Sequence, residues 1–224
     1  MSATASRQEF ALLPDPRPAR RRWVTVSTGE HVSGVAWGAG PPEALLLHAA
    51  GGSARDWDGA LSAFGHPAVA LDLPGHGGSS RRPTALYAPR RLVLPVAEAV
   101  ESLAPTAEVV AATGLGALTA LALSARRPEL VRALILLDTL PGHPAPGENP
   151  PKDAGTDDEA LWERLAGLAA EGTPVTVLHR VLPDSALARL REHAPAARLV
   201  PYTSGTADAE LAALLRAHTT GRTS

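Results

Sequence analysis

The stretch from Ala107 to Ser124 constrains the fold of this chain more than any other. A short β-branched run, Val109 and Val110, meets the glycine-bearing turn Thr113-Gly-Leu-Gly116, and an Ala/Leu-rich helical run follows. Strand, sharp turn and helix in that order form the geometry that presents an exposed nucleophile in one large enzyme class. Where that geometry would place a serine, this chain has Gly114.

The flanking sequence repeats the strand–helix theme. Residues 44–48 form a continuous apolar run, as expected of a strand buried on both faces; 67–73 and 131–138 read as further buried strands, and 174–179 as the next strand. Residues 23–28 and 31–37 alternate instead, and the Gly29-Glu30 step between them suits an antiparallel hairpin. Helical spacing appears over 92–103, 115–125, 157–168, 185–193 and 207–218, with Pro128 ending the second of these. A last short strand is expected over 197–200. This order predicts an α/β fold with a mainly parallel sheet flanked by helices, whose functional rim lies at the carboxyl ends of the strands. Residues 1–22, marked by prolines and by Arg20, Arg21 and Arg22, read as a flexible arm, and 23–224 as a single domain. A solvated face is the expected role of those arginines.

Composition narrows the function classes. A formal charge of −2 gives no electrostatic reason to expect nucleic acid or an anionic membrane as partner. The absence of cysteine excludes disulfides, thiolate catalysis and Cys-ligated zinc. No histidine pair has ligand spacing within one element, so neither a metal nor a cofactor is expected. No apolar run approaches a membrane span, and no leader is apparent, so a cytoplasmic location is expected.

Several of these stretches, taken together, resemble the α/β-hydrolase superfamily in its lipase/esterase/haloperoxidase-like branch. Residues 45–57 are similar to the family's strand and oxyanion loop, and 69–79 to its next strand and Asp-x-Pro-Gly-x-Gly-x-Ser loop. The region around Gly114 resembles the nucleophile elbow, and 127–138 and 174–179 the later strands. The resemblance covers roughly residues 23–218 and implies an α/β-hydrolase fold. The substrate-covering cap is much reduced, to about 139–173.

The resemblance also implies where a serine triad would sit. The nucleophile position falls on Gly114. The acid position falls in Arg180–Asp184, with Asp184 displaced and expected to cap the next helix. The histidine position falls in Pro201–Thr206, which contains none. The triad therefore reads as degenerate, and Gly114→Ser alone is not expected to create an esterase. Backbone oxyanion donors survive such losses, and the resemblance assigns them to Ala50 and Leu115. Gly114 and His48 complete the expected small-molecule site. His48 is also expected to hydrogen-bond backbone beneath the loop. Asp138, at a strand end, and His143 form the candidate catalytic pair; the alternative is that Asp138 caps a turn while His143 is solvated.

Three functional readings follow from the sequence. The first is non-hydrolytic lyase, isomerase or cyclase chemistry on a small organic acid, lactone or polyketide-like molecule. The alternative is an inactive pseudo-hydrolase acting as a binding or scaffold subunit. The last is an ester or thioester hydrolase with a relocated nucleophile. A second copy or a partner subunit is the expected cover for so open a pocket.

Overall fold

The computed structural model of the chain describes residues 19–81, 87–148 and 158–219. Eight strands form one sheet in the order β1-β2-β4-β3-β5-β6-β7-β8. Strands β1 (Ala19–Thr25) and β2 (His31–Trp37) form the antiparallel hairpin, and β2 also runs antiparallel to β4 (Ala68–Leu71). Strands β3 (Ala44–Leu47), β5 (Val109–Thr113), β6 (Leu134–Leu137), β7 (Val175–His179) and β8 (Arg198–Pro201) are parallel to one another and to β4.

Alternate residues of the central strands feed two separate cores, as the period of two requires. Leu45, Leu47, Val110, Ala112, Leu134 and Leu136 face one layer, which contains helices α2 (Pro89–Leu103), α3 (Gly114–Arg126), α4 (Asp158–Ala170) and α5 (Asp184–His193). Leu46, Ala70, Val109, Ala111 and Ile135 face the other, formed by α1 (Asp58–Phe64) and α6 (Ala207–Thr219). The central parallel strands β3 and β4 thus have an apolar layer on both faces, and this is why their sequences show no alternation. Between β6 and β7 the described residues form a loop and the single helix α4. No helix among the described residues is long and apolar enough to cross a membrane.

Two boundaries differ from expectation. The first strand begins at Ala19, so Arg20, Arg21 and Arg22 belong to the sheet, whereas the sequence read them as part of an arm ending at residue 22. Residues 1–18 of that arm lie outside the described residues. Arg21 is only partly exposed, and its guanidinium reaches Asp72, just beyond β4, at 2.6 Å, and Ser33 of β2 at 2.7 Å. At the other end of the chain, Asp184 is the first residue of α5 and Pro183 holds the cap position, without a side-chain cap bond.

Candidate active site

The carboxyl ends of β3, β5 and β6 meet at the turn into α3. Gly114 adopts φ +53°, the left-handed region in which glycine carries no steric penalty. Its N–H donates to the Thr139 hydroxyl at 2.7 Å, and the Thr113 hydroxyl donates to Leu137 O at 2.8 Å, tying the elbow to the end of β6. Thr113 therefore points into the sheet rim and offers no nucleophile. Gly116 sits so close to β3 that a Cβ there would overlap the Leu47 and His48 carbonyl oxygens, and its N–H donates to His48 O at 3.0 Å. This close approach brings the first turn of α3 up against the loop that follows β3.

That loop, residues 49–54, is held from below. Asp72 is fully buried and accepts from Ala54 N at 2.8 Å, Gly78 N at 2.9 Å and Arg21 at 2.6 Å. His48 is fully buried as well; Nδ1 lies 2.7 Å from Ala49 O, and Nε2 accepts from Leu73 N at 2.9 Å. Both ring nitrogens are thus committed to backbone, and the bonds fix the tautomer with the proton on Nδ1. Burial pushes the His48 pKa below its ordinary value, His76 pushes it further in the same direction, and the Ala49 carbonyl opposes the shift. A fully buried neutral ring with no free nitrogen shapes the loop. The expectation that His48 contacts substrate is corrected accordingly.

With loop and helix in register, Ala50 N and Leu115 N point at a single oxygen. That oxygen is Oε1 of Glu148, which accepts from Ala50 at 2.6 Å and from Leu115 at 2.8 Å. Oε2 accepts from Ala145 N at 3.3 Å, and Glu148 N donates back to Ala145 O at 3.0 Å, so the carboxylate is tethered within its own loop. A Cβ on Gly114 would fall inside the volume that the Glu148 carboxylate occupies. The carboxylate also lies at the amino end of α3, where the helix dipole favours negative charge. Two backbone donors converging on one anionic oxygen can equally hold the oxygen of a tetrahedral intermediate.

Asp138 and His143 do not come together. Asp138 is buried, adopts φ +46°, and accepts from Arg180 N at 2.7 Å, from Val181 N at 3.4 Å and from the Tyr202 hydroxyl. His143 closes a tight turn through backbone bonds with Leu140, of 2.8 and 3.1 Å, and makes no bond to Asp138. The partner of Asp138 is therefore Tyr202, which directly follows β8 in the segment that the resemblance assigns to the histidine. Burial raises the Tyr202 pKa, and the hydrogen bond to Asp138 raises it further. Glu148 and Tyr202 both escaped the sequence reading. For Tyr202 a signal was available, a polar aromatic at the histidine position. Glu148 lies in a Pro/Gly-rich loop with nothing local to mark it. Among the described residues no group of three metal-ligating side chains could hold an ion.

This fold, with its glycine-lined elbow on a central parallel strand, places the chain in the alpha/beta hydrolase family, and a model of that family matches residues 44–221. Over 142 residues the chain is 41% identical to Esterase Rv0045c of Mycobacterium tuberculosis; the match covers 59% of this chain and 46% of that protein. The chain thus matches about half the length of that curated relative. A crystal structure of the same esterase superposes with a TM-score of 0.69 at 25% identity, covering 89% of each chain. A thioesterase domain from the curacin biosynthetic pathway superposes with a TM-score of 0.74 over 89% of this chain and 99% of that one; at 16% identity it shows the fold alone.

The likeness to Esterase Rv0045c overturns the non-hydrolytic and inactive readings drawn from the sequence, together with the degenerate triad on which they rested. A relative 41% identical carries the name of an esterase. The physical flaw in that reading lay in treating Gly114 as a vacancy. The volume beside it is filled by a carboxylate from a distant loop, and both backbone donors are in place.

Proposed function

We propose that this chain hydrolyses a carboxylic ester at the turn between β5 and α3, with Ala50 N–H and Leu115 N–H as the oxyanion hole. The observation that carries the reading is the convergence of those two donors on one carboxylate oxygen, at 2.6 and 2.8 Å. The carboxylate oxygen stands in for the anionic oxygen of the tetrahedral intermediate. As water adds to the ester carbonyl carbon, the C=O π pair moves onto oxygen, and the two N–H groups meet that developing charge. Neither donor has to reorganise, since the buttressed loop after β3 and the first turn of α3 already fix both. Each such donor is typically worth roughly 100- to 1,000-fold in kcat. The esterase name of the 41%-identical relative supports the reaction class.

A small uncharged ester is the substrate class of this reading, because Glu148 already places one negative charge at the hole. A cytoplasmic location, and a second copy or partner subunit over the open rim, are carried forward with it; cell fractionation and sedimentation of the purified chain check these two points. The reaction itself is tested with chromogenic p-nitrophenyl acetate, butyrate and octanoate. Turnover above the buffer-catalysed rate on at least one ester is expected, and no turnover on any of them contradicts the reading.

A further inference from the structure

We infer that Glu148 is the general base of this hydrolysis, and that the same carboxylate fills the oxyanion hole while the site is empty. The inference rests on the ester-hydrolase reading above. It starts from a juxtaposition: residues 50, 115 and 148 are far apart in sequence, yet the Glu148 carboxylate bridges the two donors and fills the space beside Gly114. On a side-chain-bearing elbow, that space would belong to the elbow residue. A carboxylate from another segment occupies it here, and a glycine is what makes room for it.

Three other polar side chains at this rim are engaged elsewhere. His48 has both nitrogens bound to backbone. Asp138 is engaged by Arg180, Val181 and Tyr202. Thr113 is bonded to Leu137 O. Glu148 is the ionisable group that touches the donors themselves. The paired bonds with Ala145 hold the Glu148 carboxylate beside the hole from its own loop.

The chemistry balances without any further reagent. The ester carbonyl oxygen replaces Oε1 on Ala50 N–H and Leu115 N–H, and the displaced carboxylate stays beside the carbonyl carbon. It takes a proton from a water molecule while the water oxygen forms a bond to that carbon, and the π pair moves onto the oxygen in the hole. On collapse the C–O bond to the alcohol breaks, and the leaving alkoxide takes the proton back from the Glu148 carboxylic acid. Ester and water become acid and alcohol, and the carboxylate is regenerated. A carboxylate is a competent general base when it lies within hydrogen-bond reach of the water it activates.

The test compares wild type, Glu148→Gln, Glu148→Asp and Glu148→Ala on the best p-nitrophenyl ester, with kcat/KM followed against pH and thermal midpoints recorded. Glu148→Gln is expected to lose roughly 100- to 10,000-fold in kcat, the usual worth of a general base, and to lose the acid-side fall in kcat/KM. Glu148→Asp is expected to keep that fall at reduced rate, which a purely structural role would not produce. Glu148→Gln or Glu148→Ala turning over at or above the wild-type rate overturns the inference, since Glu148 would then only block the hole. In that outcome the ester-hydrolase reading stands. Wild type inactive on every ester overturns both.

Discussion

The Arg21 guanidinium lies 2.6 Å from the Asp72 carboxylate, which also accepts from Ala54 N, so the edge strand β1 is tied through Asp72 to the loop that contains Ala50. Asp72 is fully buried, and Arg21 is partly exposed. Removing one partner of such a pair leaves the other without its counter-charge. Arg21→Ala is expected to cost about 1–3 kcal/mol, and Asp72→Asn about 2–4 kcal/mol because an amide offers a single acceptor oxygen to several donors. Urea denaturation measures both. A loss under about 0.5 kcal/mol for either would show that the pair is an ordinary surface contact.

The sheet was easy to read and this pair was not, for one physical reason. Strands such as Ala44–Leu47 and Ala68–Leu71 are buried on both faces, so their own residues announce them. Arg20–Arg22 lie on an edge strand, and the group that organises Arg21 stands 51 residues away. Ala50 and Leu115 are named by the resemblance to the α/β hydrolases alone, and the structure brings their two backbone N–H groups to one Glu148 oxygen. Glu148 could not be placed from sequence, because its contacts with Ala50 and Leu115 span 98 and 33 residues and arise from a loop without periodicity. Tyr202, 64 residues from Asp138, escaped in the same way.

His48 ties acid stability to the loop. Its folded pKa lies below the ordinary 6.5 because burial disfavours the charged ring. The unfolded chain therefore takes up the proton first as the pH falls, and stability declines with it. The contribution is complete above the unfolded value and is lost as pH drops below it toward the folded value. His218 is lowered by burial too, so His218→Gln is the appropriate background. In that background, the thermal midpoint is expected to fall more steeply with acidification for the His48-containing protein than for His48→Gln. Parallel curves would show that His48 is not a buried neutral ring.

Asp138 combines a left-handed backbone with buried acceptor bonds. Asparagine tolerates that conformation and alanine does not. Asp138→Ala is therefore expected to be less stable than Asp138→Asn by about 1–2 kcal/mol. Tyr202→Phe, which removes a hydroxyl donor, is expected to cost about 1–2 kcal/mol. The phenol adds an independent readout. Burial raises the Tyr202 pKa and the hydrogen bond to Asp138 raises it further, so ultraviolet titration in Asp138→Asn is expected to move Tyr202 downward. An unchanged titration would show that the Asp138 bond contributes nothing.

The most direct test of the proposed reaction removes one backbone donor from the hole. Leu115 is the second residue of α3, and its N–H donates to Glu148 rather than within the helix. Proline is tolerated in a first helical turn and has no N–H to give. Leu115 is also buried, so Leu115→Val serves as the control for lost packing. The measurement is kcat for the same p-nitrophenyl ester in Leu115→Pro and Leu115→Val, both confirmed folded. The proline variant is expected to be slower than the valine variant by roughly 100- to 1,000-fold, the usual cost of one lost oxyanion donor. Equal rates in the two variants would contradict the proposed oxyanion hole.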